Sequence, residues 1–318
     1  MPRISLLVAS LAVAPLAACA ASPSSPAEAP APAPAPASTD PAPALDAAIA
    51  CEMCDAWNQR HEPFQLFGNT YYVGVAGLSA VVIATSDGLI LLDGGLPQSA
   101  PRIADNLRAL GLRVEDVRLI VNSHAHYDHA GGIAALQRRS GARVAASASG
   151  ARALRAGEPT EDDPQARSGR EPAHRFPAVS EVEVVRDGQT LTVGDVTITA
   201  HLTPGHTPGS TTWTWRSCEG QRCVDVVYAD SLNAVSDDEF RFTADPGRVA
   251  AFERSIAAVD ALPCDLLIAV HPSFAGLDRK LAARASGAKP DPFLDPDSCH
   301  EYAAASLARL RQRIADEG

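Results

Sequence analysis

Within six residues, His124-Ala125-His126-Tyr127-Asp128-His129 presents four side chains able to donate a lone pair to a metal ion. The segment follows an apolar, strand-like run at Leu119-Ile120-Val121 and precedes Ala130-Gly131-Gly132 and a helical stretch. Side chains two apart at a strand end project to one side, so His124 and His126 can share one metal. The turning chain then aims Asp128 and His129 at a neighbouring point. A single histidine in such a place is ordinarily structural; four ligand types at this density read as a metal centre.

Two ions need more ligands than this segment supplies, and two later histidines are placed to add them. His206 sits in Leu202-Thr203-Pro204-Gly205-His206-Thr207-Pro208-Gly209, a turn bounded by glycine and proline that can hold an imidazole rigidly. His271 ends the apolar run Ile268-Ala269-Val270. With the first cluster they make six ligands. His201 reads as a structural strand residue, His61, His174 and His300 as surface residues without partners, and Trp213 and Trp215 as packing.

The elements that must position these residues are short. Runs around Tyr71-Tyr72-Val73, 79–84 and Leu89-Ile90-Leu91-Leu92 are apolar and β-rich, with Ser86-Asp87-Gly88 as a hairpin turn. Residues 101–110 carry apolar positions at helical spacing and stop at Gly111, and Val117 to Val121 makes a buried strand. A helix is expected near 130–139, strands across 181–200, 211–215 and 224–228, a helix near 247–261, a strand at 266–270 and a terminal helix over 298–315. Two strand-rich halves, each covered by helices, predict an α+β, four-layer αβ/βα sandwich. The segment 155–180, rich in Pro, Asp and Glu, reads as a surface loop near the site.

The net charge of −11 over 318 residues argues against a broad phosphate-binding surface, so nucleic acid is not an expected partner. Met1-Pro2-Arg3 followed by the apolar stretch Ile4 to Ala18 has the form of a secretory signal and is too short to span a bilayer. Leu16-Ala17-Ala18-Cys19 resembles the lipobox of bacterial lipoproteins, which would leave Cys19 acylated and the protein tethered to the outer membrane. Ordinary cleavage near Ala20 without lipid is the alternative. This divides the chain into a signal over 1–19, an Ala/Pro-rich linker over 20–50 and a catalytic domain over 51–318, placed in the periplasm. Setting Cys19 aside, six cysteines remain, enough for three bridges in an oxidising compartment. Cys218 and Cys223 flank a turn-like Glu-Gly-Gln-Arg, and Cys264 with Cys299 would tie the terminal helix to the body. Cys51 and Cys54 read as a structural bridge, with a redox or metal-binding C-x-x-C as the alternative.

The H-x-H-x-D-H segment at 124–129, with the later His206 and His271, resembles the signature of the metallo-β-lactamase superfamily. Asp93, in Leu91-Leu92-Asp93-Gly94-Gly95, matches that family's early aspartate, and a carboxylate there suits orienting a ligand or a loop through hydrogen bonds. The blocks 68–74, Trp213-Thr214-Trp215, Tyr228-Ala229-Asp230-Ser231-Leu232 and Ala261-Leu262-Pro263-Cys264-Asp265 sharpen the resemblance toward subclass 3 of the class B β-lactamases, from about Trp57 to Ala315. The resemblance implies one zinc on His124, His126 and His206 and a second on Asp128, His129 and His271. Some relatives pair an N-terminal cysteine with one at the position of Ala76; its absence here leaves Cys51 and Cys54 to each other. Other hydrolases of the superfamily bridge their metals with an aspartate near Asp230, whereas in the β-lactamase subclass Ser231 faces the second metal's solvent ligand.

The activity so implied is hydrolysis of the β-lactam amide of penicillins, cephalosporins and carbapenems, conferring antibiotic resistance. Two zinc ions would supply a hydroxide nucleophile, with Asp128 ligating and orienting it. Ser231 and Asn233 would bind the substrate carboxylate. The expected protein is a monomer with a small-molecule substrate. The competing readings are a lactonase or thioester hydrolase on the same scaffold, and a noncatalytic exported metal-binding protein.

Overall fold

The computed structural model describes residues 46–318. The signal, the Cys19 lipobox and nearly all of the linker therefore lie outside the described residues. In chain order the elements are α1 (Cys54–Trp57), β1 (Phe64–Phe67), β2 (Thr70–Tyr72), β3 (Val81–Thr85), β4 (Gly88–Leu92), α2 (Ala100–Ala109), β5 (Val117–Val121), α3 (Tyr127–Ala130), α4 (Ile133–Ser140), β6 (Arg143–Ser147), α5 (Ala148–Ala156) and α6 (Ala166–Gly169). The second half continues with β7 (Glu183–Val185), β8 (Thr190–Val193), β9 (Val196–Leu202), β10 (Thr211–Glu219), β11 (Arg222–Ala229), α7 (Pro246–Asp260), β12 (Leu266–Ala269), α8 (Leu277–Ala285) and α9 (Ser298–Glu317).

Strands β1 to β7 form one sheet in sequence order, antiparallel as far as β4 and parallel from β4 to β7. The second sheet runs β12-β11-β10-β9-β8, with only β11 and β12 parallel. Side chains alternate along the strands, with a register shift between Leu89 and Ile90 that puts Val117 and Leu119 on opposite faces, and the central strands are buried on both faces. Ile90, Leu92, Leu119 and Val121 enter the core between the sheets, whereas Leu89, Leu91, Val117 and Ile120 pack outward under α2, α4 and α5. In the second sheet Val226, Tyr228, Leu266 and Ile268 face inward, and Val227, Ala229, Leu267 and Ala269 pack outward against α7 and α9. Burial on two sides is why these strands read as continuous apolar runs. The order of layers is helix, sheet, sheet, helix, the expected four-layer αβ/βα sandwich.

Several elements were not legible in the sequence, β6, α5 and α8 among them. Strand β6 and α5 occupy Arg143 to Ala156, where alanines and serines give no strong period; Ser147 caps α5 by accepting from the Gly150 N–H at 3.2 Å. Helix α8 lies in a stretch with no expected element. The six remaining cysteines are paired as Cys51–Cys54, Cys218–Cys223 and Cys264–Cys299. The last of these joins the loop before β12 to the start of α9.

Candidate metal centre

The ligand candidates gather where strands end. β4 delivers Asp93, β5 runs through Asn122-Ser123 into His124, and α3 starts at once with His126 in its N-cap position and Asp128 and His129 on its only turn. The β9–β10 loop brings His206, the segment after β11 brings Ser231 and Asn233, and β12 ends at His271. Space for this convergence depends on Gly94. A Cβ there would stand 2.6 Å from the Ile133 nitrogen, so only glycine lets the β4 end lie against the start of α4.

Six candidates form two adjoining groups. His124, His126 and His206 each offer a nitrogen within 4.8 Å of the others, and all three are buried. In the second group Asp128 Oδ2 lies 3.2 Å from His129 Nε2 and 3.4 Å from His271 Nε2, and the two nitrogens are 3.3 Å apart. Metal bonds of 2.0–2.1 Å in a tetrahedron place neighbouring donors about 3.3 Å apart. The second triad therefore has the spacing that a tetrahedral ion requires. Further, His124 Nε2 is buried with no hydrogen-bond partner, a loss that an ion would make good.

Four of the five rings are held from behind. His124 Nδ1 lies 2.6 Å from Asp230 Oδ1, His206 Nδ1 2.9 Å from the Asn233 carbonyl oxygen, and His271 Nδ1 3.1 Å from the Gly77 carbonyl oxygen. Those acceptors leave Nε2 as the free nitrogen in all three. His126 is the reverse, with Nε2 at 3.2 Å from both carboxylate oxygens of Asp163. His129 Nδ1 reaches only to 4.0 Å from Asp93 Oδ2, too far for a hydrogen bond.

The electrostatics favour the ligating form at His124, His206 and Asp128. Burial, with His129 and His126 as charged neighbours, holds His124 well below the usual histidine range, and burial with His124 and His126 takes His206 down to about 3. Burial alone would raise Asp128, but His129 and His271 overcome it and hold the carboxylate well below its ordinary value. Burial would likewise lower His126 and His129, yet Asp163 and Asp128 respectively leave them raised.

Asp93 gathers the chain between β5 and His124 through hydrogen bonds. Its carboxylate accepts from the Ser123 N–H at 2.8 Å, Ser123 Oγ at 2.6 Å, Asn122 Nδ2 at 3.0 Å and Tyr228 OH at 2.9 Å. It thereby joins the two sheets immediately behind His124. The residue adopts φ 61°, a left-handed conformation that aspartate tolerates better than most side chains. Burial, opposed by His129 and Ser123, pushes its pKa up to about 6.

A cleft of about 520 Å³ opens over the ligands, lined by Trp57, His126, Tyr127, Asp128, Gln165, His206, Ser231, Asn233, His271, Phe274 and Arg309 among others. A larger hollow of about 770 Å³ near Arg143 and Glu183 carries none of the ligand candidates, so the chemistry belongs to the smaller one. Ser231 and Asn233 line the cleft, with Asn233 Nδ2 3.4 Å from Ser231 Oγ.

Several sequence readings change. His174 is not a free surface residue: its ring stacks on Tyr127 at 4.7 Å, and its Nδ1 lies 2.8 Å from the Ser168 carbonyl oxygen. His61 packs on Tyr72, and the exposed His300 meets Asp260. His201 is structural as read, its Nε2 2.9 Å from Thr214 Oγ1. Asp230, weighed in the sequence against a metal-bridging place, stands behind His124. Asp163 and Gln165 reach the site from the loop expected near it and Arg309 from the terminal helix, though none of the three is singled out by its own sequence context.

Comparison with known proteins agrees with this geometry. The family model described as the metallo-beta-lactamase superfamily matches residues 73–220. Among solved structures, Rm3 metallo-beta-lactamase is 50% identical with a TM-score of 0.81, covering 84% of this chain and 99% of its own. MEM-A1, a subclass B3 metallo-beta-lactamase from a soil metagenome library, is 46% identical with a TM-score of 0.77, covering 82% of this chain and 98% of its own. SMB-1, solved with mercaptoacetic acid, is 42% identical with a TM-score of 0.78, covering 82% and 99%. The chain belongs to the metallo-β-lactamase superfamily, and within it to the subclass B3 enzymes. It is accordingly a metal-dependent hydrolase.

Proposed function

We propose that this chain hydrolyses the β-lactam amide of penicillins, cephalosporins and carbapenems at a two-zinc centre, and so confers antibiotic resistance. The observation that carries the reading is the pair of adjoining donor groups, one of three imidazoles and one of Asp128, His129 and His271 at 3.2 to 3.4 Å. His124, His126 and His206 would hold one zinc, and Asp128, His129 and His271 the other. Bound zinc supplies Lewis acidity and lowers the pKa of water toward neutrality.

The chain's own groups do the rest. Asp230 and the carbonyl oxygens of Asn233 and Gly77 fix the rings of His124, His206 and His271, so the donors need no rearrangement when substrate arrives. Asp128, besides ligating, accepts a hydrogen bond from the attacking water. The Ser231 hydroxyl and Asn233 amide, side by side in the cleft, donate to the substrate carboxylate. Trp57 and Phe274 supply apolar walls against which the bicyclic substrate excludes water.

The signal-like N-terminus and the three cysteine pairs support a periplasmic protein with structural disulfides, and the lipobox-like Leu16-Ala17-Ala18-Cys19 supports a tether through Cys19. The test is turnover of a carbapenem and a cephalosporin by the purified protein, followed by ultraviolet absorbance, with chelator and with added zinc. Chelator-sensitive hydrolysis restored by zinc is expected. A folded, zinc-loaded protein inert toward both substrates would move the assignment to another hydrolase of the superfamily.

A further inference from the structure

His126 is the one site imidazole whose Nε2 faces an acceptor outside the ligand set. Both oxygens of Asp163 lie 3.2 Å from that nitrogen, and the carboxylate is itself almost fully buried. A neutral imidazole carries a single N–H; an acceptor at Nε2 draws the proton there and leaves the lone pair on Nδ1. In His124, His206 and His271 the acceptor sits at Nδ1 and the lone pair falls on Nε2. The three-histidine group thus mixes two ring orientations, and the odd one is set by a residue 37 positions away.

Asp163 is anchored for this task. Its Oδ1 accepts the Gln165 N–H at 2.8 Å, and its own N–H donates to the Thr160 carbonyl at 3.1 Å. The loop is clamped from outside as Arg248 Nη1 donates to the Asp162 carbonyl at 3.0 Å, and Asp237 accepts the N–H groups of Arg167 and Ser168 at 2.8 and 3.2 Å. Two residues on, Gln165 enters the cleft with its Nε2 3.5 Å from His126 Nδ1. The same short loop grips the back of the ring and stands beside its front.

We infer that Asp163 is a positioning residue for the metal centre: through His126 Nε2 it selects the Nε2–H tautomer and turns Nδ1 toward the three-histidine site, which makes the 160–168 loop part of that site. This rests on the two-metal reading above. Without Asp163 either nitrogen can face the site, and a ring presenting N–H cannot ligate. Outer partners of this kind are typically worth 10–100-fold in metal affinity.

The test compares wild type, Asp163→Asn and Asp163→Ala in the full chain, with zinc affinity measured by competition with a chromophoric chelator and the His126 tautomer read by nitrogen-15 NMR of metal-free protein at mildly alkaline pH. The wild type is expected to show the Nε2–H form. Both variants are expected to lose that preference and to bind the zinc of the three-histidine group about 10–100-fold more weakly, with the Asp128, His129 and His271 group unchanged. Asp163→Asn keeps the shape of the side chain, so the result does not depend on the alanine variant folding. An Nδ1–H tautomer in the wild type, or wild-type zinc affinity in both variants, overturns the assignment. Neither readout uses β-lactam turnover, so an inactive wild type would count against the proposed substrate and not against Asp163.

Discussion

Asp230 Oδ1 lies 2.6 Å from Nδ1 of His124, and both side chains are removed from solvent. The same aspartate offers its backbone carbonyl to Tyr302 OH at 2.8 Å, and Tyr302 in turn accepts the Leu232 N–H at 3.1 Å. Helix α9 therefore supports the residue that aims the first ligand of the three-histidine group.

Asp230→Asn should weaken zinc binding at that group by about 10–100-fold, because an amide cannot match the charge that draws the proton to His124 Nδ1. Competitive chelator titration measures it. Unchanged affinity would sink the positioning role.

Removing a ligand outright should cost more than removing its support. His124→Ala and Asp128→Ala are each expected to lower kcat/KM for a carbapenem by more than about 100-fold, the upper figure for an outer partner. Far-ultraviolet circular dichroism should stay near wild type. Retained turnover in either variant would remove that residue from the ligand set.

Zinc binds the folded chain at donors brought together from distant strands, so it should raise the unfolding temperature. At a free concentration a thousandfold above Kd, each site adds about 4 kcal/mol. Calorimetry of chelated and reloaded protein checks this, and elemental analysis of the reloaded protein should return two zinc ions per chain.

The Cys264–Cys299 bond closes a segment with a sequence separation of 35, whereas Cys218–Cys223 spans 5. Constraint of the unfolded chain predicts a loss of about 4 kcal/mol for Cys264→Ser with Cys299→Ser, against about 2 kcal/mol for the shorter pair. Denaturant unfolding should rank the two double variants in that order; the reverse ranking would mean that local packing at the hairpin dominates.

Glu317 fastens the end of α9 to the loop before α7. Its carboxylate accepts from Thr243 N at 2.9 Å, Phe242 N at 3.1 Å and Arg313 Nε at 2.7 Å. Burial would raise its pKa, but the Thr243 N–H and Arg313 hold it down to about 2, against an ordinary value of about 4.3. A carboxylate depressed in the folded state contributes stability above its unfolded pKa, and that contribution is lost as pH falls from there through the folded one. Glu317→Gln should cost about 1 kcal/mol at neutral pH, a fall of roughly 2–4 °C in Tm. The gap from wild type should close between about pH 4 and 2. A gap that persists through that window would show the effect to be one of packing.

Part of this protein is legible in its sequence alone. Strand ends and a tight turn impose a local geometry, so the six residues from His124 to His129 announced a metal centre, and isolated His206 and His271 could be added because each follows a strand. Apolar runs announced β4, β5, β11 and β12, since strands buried on both faces have few polar positions. Residues 143–156 gave no such signal, because small alanines fit a strand, a helix or a tight packing layer equally.

What stands behind each ligand was decided only by the tertiary structure. Asp230 and Asp163 meet His124 and His126 across 106 and 37 positions, and Asn233 and Gly77 contribute backbone carbonyls, which every residue has and no sequence pattern marks. Ligand identity is a property of side-chain type and short spacing, which the chain carries locally. Ligand orientation depends on which acceptor the packed sheets and the 160–168 loop bring within hydrogen-bond reach, and that proximity exists only once the chain has folded.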